Sequence, residues 1–455
     1  MRSAVGGVDH YYWYVFWISC TFVATLIYSL YYHSSNPTNP EHFLHITNSH
    51  QPTSCTGRYI FIHQLPPSFN SDILSNCCKN LSNATTHTCL FFSNSGLGLP
   101  LDDDGDASSG WFNTDQFSLD IIFHHRMTNY ECLTSNSSLA SAIFIPFYAG
   151  IDFACHQWGF NTSVRDFLSM EVVKWLASRP EWEVIGGKDH FIVAGRTTWD
   201  FRRIKDDEEA HWGNKLFLLP EISNMTVLTV ESPPWDSIDF AVPYPTYFHP
   251  CNNNQVMSWQ DKVIGLARPW LFAFAGAPRP DQKDSIRQIL IEQCRSSVNC
   301  YLLDCVSSPG NCHSPTRVMK VFESSSFCLQ PRGDSATRRS MFDAMVAGCV
   351  PVFFSSRTAY EQYIWHLPSN HSLYSVFIAE DDVRNGNVSI EEVLSGYSEE
   401  HVRNMREEVV RMIPRLVYGD PRVRVEGFKD AFDLAVDGVL RRVERLRKEV
   451  KVMHG

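Results

Sequence analysis

The sequence lacks an excess of positive charge. Its 455 residues include 39 Lys and Arg against 50 Asp and Glu, which gives a formal net charge of −11 and a pI near 5.9. Nucleic acids and anionic lipid surfaces attract basic proteins, so this balance argues against either as the main partner. With 44% apolar and 20% charged residues, the composition is that of a globular protein of two or three domains.

Charge is absent altogether from the segment Tyr11–Tyr32, which has 22 residues. A helix of that length crosses the ~30 Å hydrocarbon layer of a bilayer, and aromatic residues at its ends suit the interface. Arg2 precedes the segment and no Lys or Arg follows it until Arg58, which predicts a cytosolic N-terminus. We therefore expect an uncleaved signal-anchor. A cleaved signal peptide is the alternative, but the flank HSSNPTNP lacks a small-residue cleavage pattern.

Everything after this segment would then lie in a lumen or outside the cell. Thirteen cysteines follow it, which suits an oxidising compartment, and Cys294, Cys300, Cys305 and Cys312 are dense enough to predict at least one disulfide. An odd total leaves at least one cysteine unpaired within the chain. Seven N-glycosylation sequons begin at Asn80, Asn83, Asn136, Asn161, Asn224, Asn370 and Asn387.

Beyond a polar stem, short apolar runs alternate with helical patterns. Continuous apolar runs are typical of parallel strands that are covered on both faces, so the fold class is α/β with parallel sheets. Strands are predicted within residues 58–66, 141–150, 190–195, 225–232, 270–278, 300–305, 327–331, 350–354 and 374–379. They form two sets, which predicts two doubly wound domains with a boundary near residues 245–265.

The predicted organisation is a cytosolic tail 1–10, a transmembrane segment 11–32, a stem 33–56, an N-terminal domain 57–258, a C-terminal domain 259–425 and a C-terminal amphipathic helix 426–455. On that last helix one stripe is apolar, and we expect it to pack on the folded body rather than form a coiled coil. The stripe consists of Phe428, Phe432, Ala435, Val439, Val443, Leu446 and Val450.

The stretch CLQPRGDSATRRSMFDAMVAGCVPVFF, residues 328–354, concentrates charge between two apolar runs. Pro331 would end a strand, Gly333 would allow a turn, and Asp334 or Ser335 would cap a helix 335–347 that Gly348 stops. Ligands of parallel sheets bind where strands end, and a helix N-terminus there favours an anion such as phosphate. Ser335, Arg338 and Arg339 would add donors. The structural alternative is a simple helical pair between Arg339 and Asp343.

This stretch resembles the signature of the exostosin-type glycosyltransferases, and within them the plant xyloglucan galactosyltransferases. The resemblance extends in order over residues 55–450. It also includes CTGRYIFIHQLPPSFN, DQFSLDIIFHHRMTNYECLTSNSSLASAIFIPFYAGID, RPEWEVIGGKDHFIVAGRTTWDFRR, DFAVPYPTYFHP, LFAFAGAPRPDQKDSIR and YSVFIAEDDVRNGNVSIEEVL. The plant enzymes usually read P-P-G where this chain has Pro331-Arg332-Gly333, so the donor sugar and the acceptor position are open.

The resemblance implies a Golgi type II membrane protein of the GT-B architecture, with two facing Rossmann-like domains. Its C-terminal domain would bind a UDP-sugar, its N-terminal domain would bind the glycan acceptor, and transfer would invert the anomeric carbon. Residues of the nucleotide-sugar site would be Gly276, Arg279, Gly333, Ser335, Arg338, Arg339, Asp343 and Glu380. For Arg279, Asp343 and Glu380, a surface charge, a helical pair and a helix cap respectively are the structural alternatives.

A catalytic base should come from the N-terminal domain and face the cleft. Asp152, Asp200 and Glu231 each follow a predicted strand, and the sequence does not rank them. No metal is predicted, because the D-x-D pattern occurs only in DDDGDASSG at residues 102–110, a stretch that has no preceding apolar strand and is typical of a solvated loop.

The predicted function is transfer of galactose from UDP-galactose to xylosyl side chains of xyloglucan, for cell-wall biosynthesis. UDP-galacturonic acid or UDP-arabinose is the alternative donor, and a non-catalytic glycan-binding protein is the alternative of another class. The predicted partners are the hemicellulose acceptor, the Golgi membrane and other Golgi glycosyltransferases, with no nucleic acid. No cofactor beyond the UDP-sugar is expected.

Overall fold

The computed structural model describes residues 55–80, 88–101, 109–206, 211–235, 238–306 and 309–454. Residues Ser54–Gly455 form one compact unit. The predicted anchor at 11–32 and most of the stem at 33–56 lie outside the described residues. Within the described ranges, no helix combines the length and the apolarity that a bilayer crossing requires.

The first half of the unit is built on a parallel sheet of five strands in the order β1-β2-β3-β4-β5. Its strands are β1 (Ile60–Ile62), β2 (Ala142–Ile145), β3 (His190–Val193), β4 (Thr226–Thr229) and β5 (Asp239–Ala241). Every residue of β2, β3 and β4 is buried, as continuous apolar runs predict. The sequence missed only β5, whose three residues begin with a charge and form no apolar run.

The second half contains another parallel sheet of five strands, in the order β10-β9-β8-β6-β7. Its strands are β6 (Trp270–Gly276), β7 (Cys300–Asp304), β8 (Ser325–Gln330), β9 (Val350–Phe353) and β10 (Val376–Phe377). All nine predicted strands are therefore present, and the prediction of an α/β fold with parallel sheets is confirmed. Pro331 directly follows β8, and Gly348 has a φ of 68°, which a side chain rarely adopts, where the next helix ends.

Helices separate the strands in both halves. In the first half the α-helices are Ser71–Asn80, Thr88–Phe91, Ser93–Gly96, Leu119–Thr128, Ala149–His156, Thr162–Ala177 and Pro180–Ile185. From the junction onward they are Asn253–Gly265, Arg287–Ser296, Pro309–Cys312, Pro315–Glu323, Arg339–Val346, Glu380–Arg384, Ile390–Ser395, Glu399–Arg411, Ile413–Leu416 and Ala431–His454.

The last helix, Ala431–His454, returns to the first half of the molecule. The Phe432 ring lies 4.7 Å from that of Phe123, and Arg442 donates from Nε to Thr226 at 3.1 Å. Phe432, Ala435, Val439 and Val443, four residues of the predicted stripe, are buried. Packing on the folded body is thus confirmed, although the helix begins at Ala431 rather than at residue 426.

Disulfides join neighbouring segments. Cys294 pairs with Cys300 and Cys305 with Cys312, so the prediction of at least one bridge in this group is confirmed. Further bridges are Cys55–Cys132 and Cys328–Cys349, and Cys155 is also disulfide-bonded. Among the described cysteines, Cys251 is free.

Candidate active site

Two loops of the second half lie at the same edge of its sheet, because they follow neighbouring parallel strands. Gly276 is the last residue of β6, and Pro331 begins the loop after β8. The carboxyl ends of such strands are where open α/β sheets bind ligands. Both predicted nucleotide-site segments are therefore brought together here.

Three guanidinium groups converge in these loops. Arg279 forms an ion pair with Asp334 (Nε–Oδ1 3.1 Å), and Arg338 lies 3.7 Å from the same carboxylate. Arg287 is the third: burial, together with the positive charges of Arg338 and Arg279, lowers its pKa to about 10. One acid, Asp334, lies among three cations, so positive charge exceeds negative charge in this cluster. This excess favours the binding of a polyanion.

Gly333 and Gly276 make room for two of these groups. A β-carbon at Gly333 would overlap the guanidinium of Arg338, and one at Gly276 would overlap that of Arg287. Both glycines are needed because an arginine lies directly against the backbone. The sequence predicts a tight turn at Gly333 and a place in the nucleotide-sugar site, whereas the close approach of Arg338 is seen only in the structure.

Arg338 has guanidinium N–H groups that could donate hydrogen bonds to a ligand. Its Nε and Nη2 atoms are buried and have no hydrogen-bond partner among the described residues, and burial lowers its pKa. A buried donor without a partner is costly, so a ligand that accepts from both atoms would bind strongly. Arg287 was missed by sequence reasoning, although it begins the helix Arg287–Ser296 within the motif DQKDSIR.

The prediction of a helix at residues 335–347 is wrong about where the helix begins. The helix begins at Arg339, with Arg338 as its N-cap residue, and neither Asp334 nor Ser335 caps it. Residues 334–338 stay irregular because Glu231, from the first half, accepts hydrogen bonds from the backbone N–H groups of Ala336 (3.4 Å) and Thr337 (2.9 Å). We call residues Arg332–Arg338 the donor loop.

Arg339 and Asp343 form the structural pair that was the alternative in sequence reasoning. Arg339 Nε lies 3.1 Å from Asp343 Oδ2, and its Nη1 donates to the Thr114 carbonyl at 2.5 Å. The guanidinium also lies 3.5 Å from the centre of the Tyr247 ring. Arg339 therefore connects the two halves of the molecule, while its neighbour Arg338 contacts the donor loop. Burial raises the pKa of Asp343 to about 6.

Glu380 begins a helix shortly after β10 and is held by two arginines. Arg332 Nε donates to Glu380 Oε1 at 3.0 Å, and Arg384 lies 3.6 Å from the same oxygen. Arg332, the residue that departs from P-P-G, is therefore paired with an acid next to the arginine cluster.

Of the three candidate bases, Glu231 is the most fully bonded. It is completely buried at the end of β4 and accepts from Trp199 Nε1 (2.9 Å) and Thr337 Oγ1 (2.7 Å) as well as from the two donor-loop amides. Glu231 therefore joins the first half to the donor loop, and its carboxylate oxygens already accept hydrogen bonds from protein donors.

Asp200 lies on the turn Thr198–Phe201 after β3. Burial raises its pKa, and Trp212 Nε1 donates to its Oδ1 at 2.5 Å. Its Oδ2 lies 3.6 Å from Arg196 Nη1. The charges of Asp200, Glu231 and Arg338 all act on the buried Tyr244, whose hydroxyl lies 3.1 Å from Thr337 Oγ1, so these groups share one region between the halves.

Asp152 does not lie at the end of a strand, contrary to the prediction. It is within the helix Ala149–His156, is 2% exposed, and accepts a hydrogen bond from His156 Nδ1 at 2.8 Å. That bond raises the pKa of His156, while burial raises the pKa of Asp152.

A fourth buried acid, Asp120, was missed because it lies in an apolar helix. It accepts backbone N–H bonds from Gly150 (2.8 Å), Ile151 (3.3 Å) and Gly195 (2.6 Å), and so fixes the segments after β2 and β3. Burial outweighs these bonds and raises its pKa to about 7.

The chain matches the profile of one known protein family. The profile of the exostosin GT47 domain matches residues 54–394, which is most of the chain. The chain belongs to the exostosin GT47 family.

Several relatives have been named for their activity. Xyloglucan galactosyltransferase MUR3 of Arabidopsis thaliana is 55% identical over 398 residues, which cover 87% of this chain and 64% of that protein. This chain thus spans slightly less than two thirds of that relative. The probable xyloglucan galactosyltransferase GT14 of the same plant is 49% identical, with 90% and 79% covered. Its xyloglucan-specific galacturonosyltransferase 1 is 40% identical, with 88% and 59% covered.

Solved structures are much more distant. An α-glucosyltransferase (AGT) in complex with UDP is 10% identical with a TM-score of 0.29, over 66% of this chain and 82% of that chain. This likeness is too weak to carry an argument.

Five of the seven sequons in this GT47 chain have described asparagine side chains, and all five are exposed: Asn136, Asn161, Asn224, Asn370 and Asn387. Asn161 also caps the helix Thr162–Ala177 by accepting from Val164 N. Asn80 ends a helix, its side chain is not described, and Asn83 lies outside the described residues. Glycosylation of each site stays a prediction.

No group of three or more His, Cys, Asp or Glu that could hold a metal ion occurs among the described residues. Most of the stretch DDDGDASSG lies outside them.

Proposed function

We propose that this protein is a GT-B glycosyltransferase that transfers galactose, with inversion, from UDP-galactose to xylosyl side chains of xyloglucan. The observation that carries the proposal is the cluster of Arg279, Arg287 and Arg338 around the donor loop. The family, and the activities for which its Arabidopsis relatives are named, support this choice of reaction and acceptor.

The arginine cluster stabilises the leaving group in this proposal. As the glycosidic bond to the diphosphate breaks, negative charge grows on the departing UDP. Guanidinium donors that are already placed there stabilise the transition state more than the ground state. Gly276 and Gly333 let the two half-buried arginines, Arg287 and Arg338, approach the backbone, so the cations are in position before the donor arrives.

Asp200 is the base in this proposal. A base must take the proton of the acceptor hydroxyl as that oxygen attacks the anomeric carbon from the face opposite the diphosphate. Its pKa should lie closer to the working pH than that of an ordinary aspartate, and burial shifts Asp200 in that direction. Glu231 positions the donor loop instead, because four donors already occupy its carboxylate.

The alternative donor, UDP-galacturonic acid, is favoured by one observation. Arg332 places a cation beside the cluster, and a uronate carboxylate would need one. A galacturonosyltransferase is also among the relatives. The pairing of Arg332 with Glu380 weighs against UDP-galacturonic acid, because the charge of Arg332 is already neutralised. UDP-arabinose carries no carboxylate and so does not require this cation.

The chain would work in the Golgi lumen, anchored as a single-pass type II protein by residues 11–32. Charge-free length and aromatic ends support this placement, and the disulfides suit an oxidising lumen.

The test is incubation of the detergent-solubilised full-length protein with galactose-free xyloglucan oligosaccharides and a panel of UDP-sugars, followed by mass spectrometry. A hexose added only from UDP-galactose supports the proposal, and addition of a uronate or pentose replaces the donor. We expect chelator to leave turnover unchanged; a sharp loss that Mn²⁺ restores would contradict this part.

Arg338→Ala, with the exposed Arg445→Ala as control, tests the site by calorimetry with UDP. Loss of two charge-assisted donors should weaken binding by roughly 10- to 100-fold. Unchanged UDP affinity would refute the assigned site. Oligosaccharide binding without any transfer would instead indicate a glycan-binding protein.

A further inference from the structure

Four tryptophans have exposed side chains in the described part of the first half. Trp158 is 72% exposed, Trp212 46%, Trp199 36% and Trp235 52%. They form two pairs: the rings of Trp158 and Trp212 are 5.5 Å apart, and those of Trp199 and Trp235 are 5.7 Å apart. We call these four residues the tryptophan platform. Exposed aromatic surface of this size is unusual and points to a binding function.

Buried carboxylates hold one ring of each pair by its edge. Trp212 Nε1 donates to Asp200 Oδ1 at 2.5 Å, and Trp199 Nε1 donates to Glu231 Oε1 at 2.9 Å. The Phe153 ring supports Trp212 from 5.5 Å. Because each indole N–H is already used, the anchored rings offer their faces rather than a hydrogen-bond donor to a ligand.

The platform lies at the carboxyl edge of the first sheet. Trp199 and Asp200 are consecutive residues on the turn after β3, and Glu231 follows the adjacent strand β4. Thr198 N donates to the Glu231 carbonyl at 3.0 Å, which ties the two strand ends together. Through Glu231 the platform is continuous with the donor loop, so a ligand on the tryptophans would extend toward the arginine cluster.

We propose that the tryptophan platform binds the β-linked glucose backbone of the acceptor polymer; this inference rests on the proposed function for the identity of that polymer. The faces of a β-glucose ring carry only C–H groups, and the negative face of an indole attracts their slightly positive hydrogens. A neutral polysaccharide requires no cation. The backbone is common to acceptors of galactose and of galacturonic acid, so the platform would be independent of the donor sugar.

The probes are a cello-oligosaccharide, which has the backbone alone, and a xyloglucan oligosaccharide without galactose. Full-length protein would be titrated calorimetrically with each, as wild type and as the double variants Trp158→Ala/Trp212→Ala and Trp199→Ala/Trp235→Ala. Leu139→Ala is the control, since this exposed apolar residue precedes β2 at the opposite edge of the same sheet.

Each double variant should bind both oligosaccharides about 10-fold or more weakly, because two stacking faces are lost. UDP affinity should stay unchanged in Trp158→Ala/Trp212→Ala, because Trp212 bonds to Asp200 and not to Glu231, which holds the donor loop. Trp212→Phe should retain part of the affinity, because a ring face remains without its anchor. The control should match wild type.

Two results would overturn the inference: wild type that binds no β-glucan, or variants that bind it as tightly as wild type. If the variants also abolish an association of the protein with itself or with other proteins while keeping glucan affinity, the platform is a protein interface instead. Failure of the proposed function is distinguishable, because loss of cello-oligosaccharide binding can be measured even if no sugar is transferred from UDP-galactose.

Discussion

At the residue scale, Gly333 has the most specific requirement in the donor loop. The Arg338 guanidinium occupies the space that a β-carbon would take. Gly333→Ala should therefore displace Arg338 and weaken UDP binding about 10-fold or more, as measured by calorimetry. Gly265→Ala is the control, because a β-carbon there meets nothing within 4 Å. Equal UDP affinity for both variants would show that Arg338 does not need its present position.

Asp200→Asn tests the base. The amide oxygen can still accept from Trp212, so the fold should be kept while the proton acceptor is lost. We expect kcat to fall about 10²- to 10⁴-fold with little change in the KM for the donor. The limb of the pH–rate profile that reports the base should disappear. If Asp152→Asn causes the larger loss, the base is Asp152, acting through its bond to His156.

At the scale of elements, the donor loop takes its conformation from the other half of the molecule. Glu231→Gln would replace one accepting oxygen by an NH₂ group that faces donors. We expect faster hydrogen–deuterium exchange at Ala336 and Thr337 and a loss of roughly 1–3 kcal/mol in the free energy of unfolding. Glu400→Gln, on an exposed helical face, is the control. Unchanged exchange at Thr337 would mean that the loop is ordered without Glu231.

The C-terminal helix is an element whose partner could not be read from its own stripe. Phe432 is fully buried against Phe123 and lies 4.6 Å from the guanidinium of Arg126. Phe432→Ala should lower the free energy of unfolding by about 3–5 kcal/mol, measured by denaturant titration. The exposed Val452→Ala should change it little. A small effect at Phe432 would indicate that the helix contributes little to the first half.

At the scale of the whole molecule, buried acids predict how stability depends on pH. Burial raises the pKa of Asp343 to about 6 and that of Asp120 to about 7, above the values of exposed aspartates. The folded state thus keeps protons that the unfolded state releases, and these groups stabilise the fold most below pH ~4. Their contribution should fall as the pH rises through about 6 to 7. Asp343→Asn should make this slope shallower in denaturation between pH 4.5 and 7, whereas the exposed Asp382→Asn should not. A slope unaltered by Asp343→Asn would contradict its raised pKa.

Strands and site residues differed in how far they could be predicted. Nine strands could be predicted because a buried parallel strand consists of a local run of apolar residues. The strand β5 has no such run and was therefore missed. Gly276, Arg279, Gly333 and Arg338 lie close together as predicted, because Gly276 ends one strand of the second sheet and the others follow strands of that sheet; their role in nucleotide binding stays a prediction. Arg287 and Asp120 were missed, since an arginine or aspartate on a helix carries no local signal of what it will contact.

The sequence by itself determined the α/β class, the parallel strands, the cysteine-rich region and, through long motifs, the exostosin family, because these depend on local patterns or on extended similarity. The tertiary structure alone decided which charges meet. It showed that Arg339 pairs with Asp343 while Arg338 keeps free donors, and that Glu231 fixes a loop more than a hundred residues away. It also revealed that Asp200 and Glu231 each hold a tryptophan edge. Such contacts join distant parts of the chain, so their energies depend on burial and geometry that no local pattern contains.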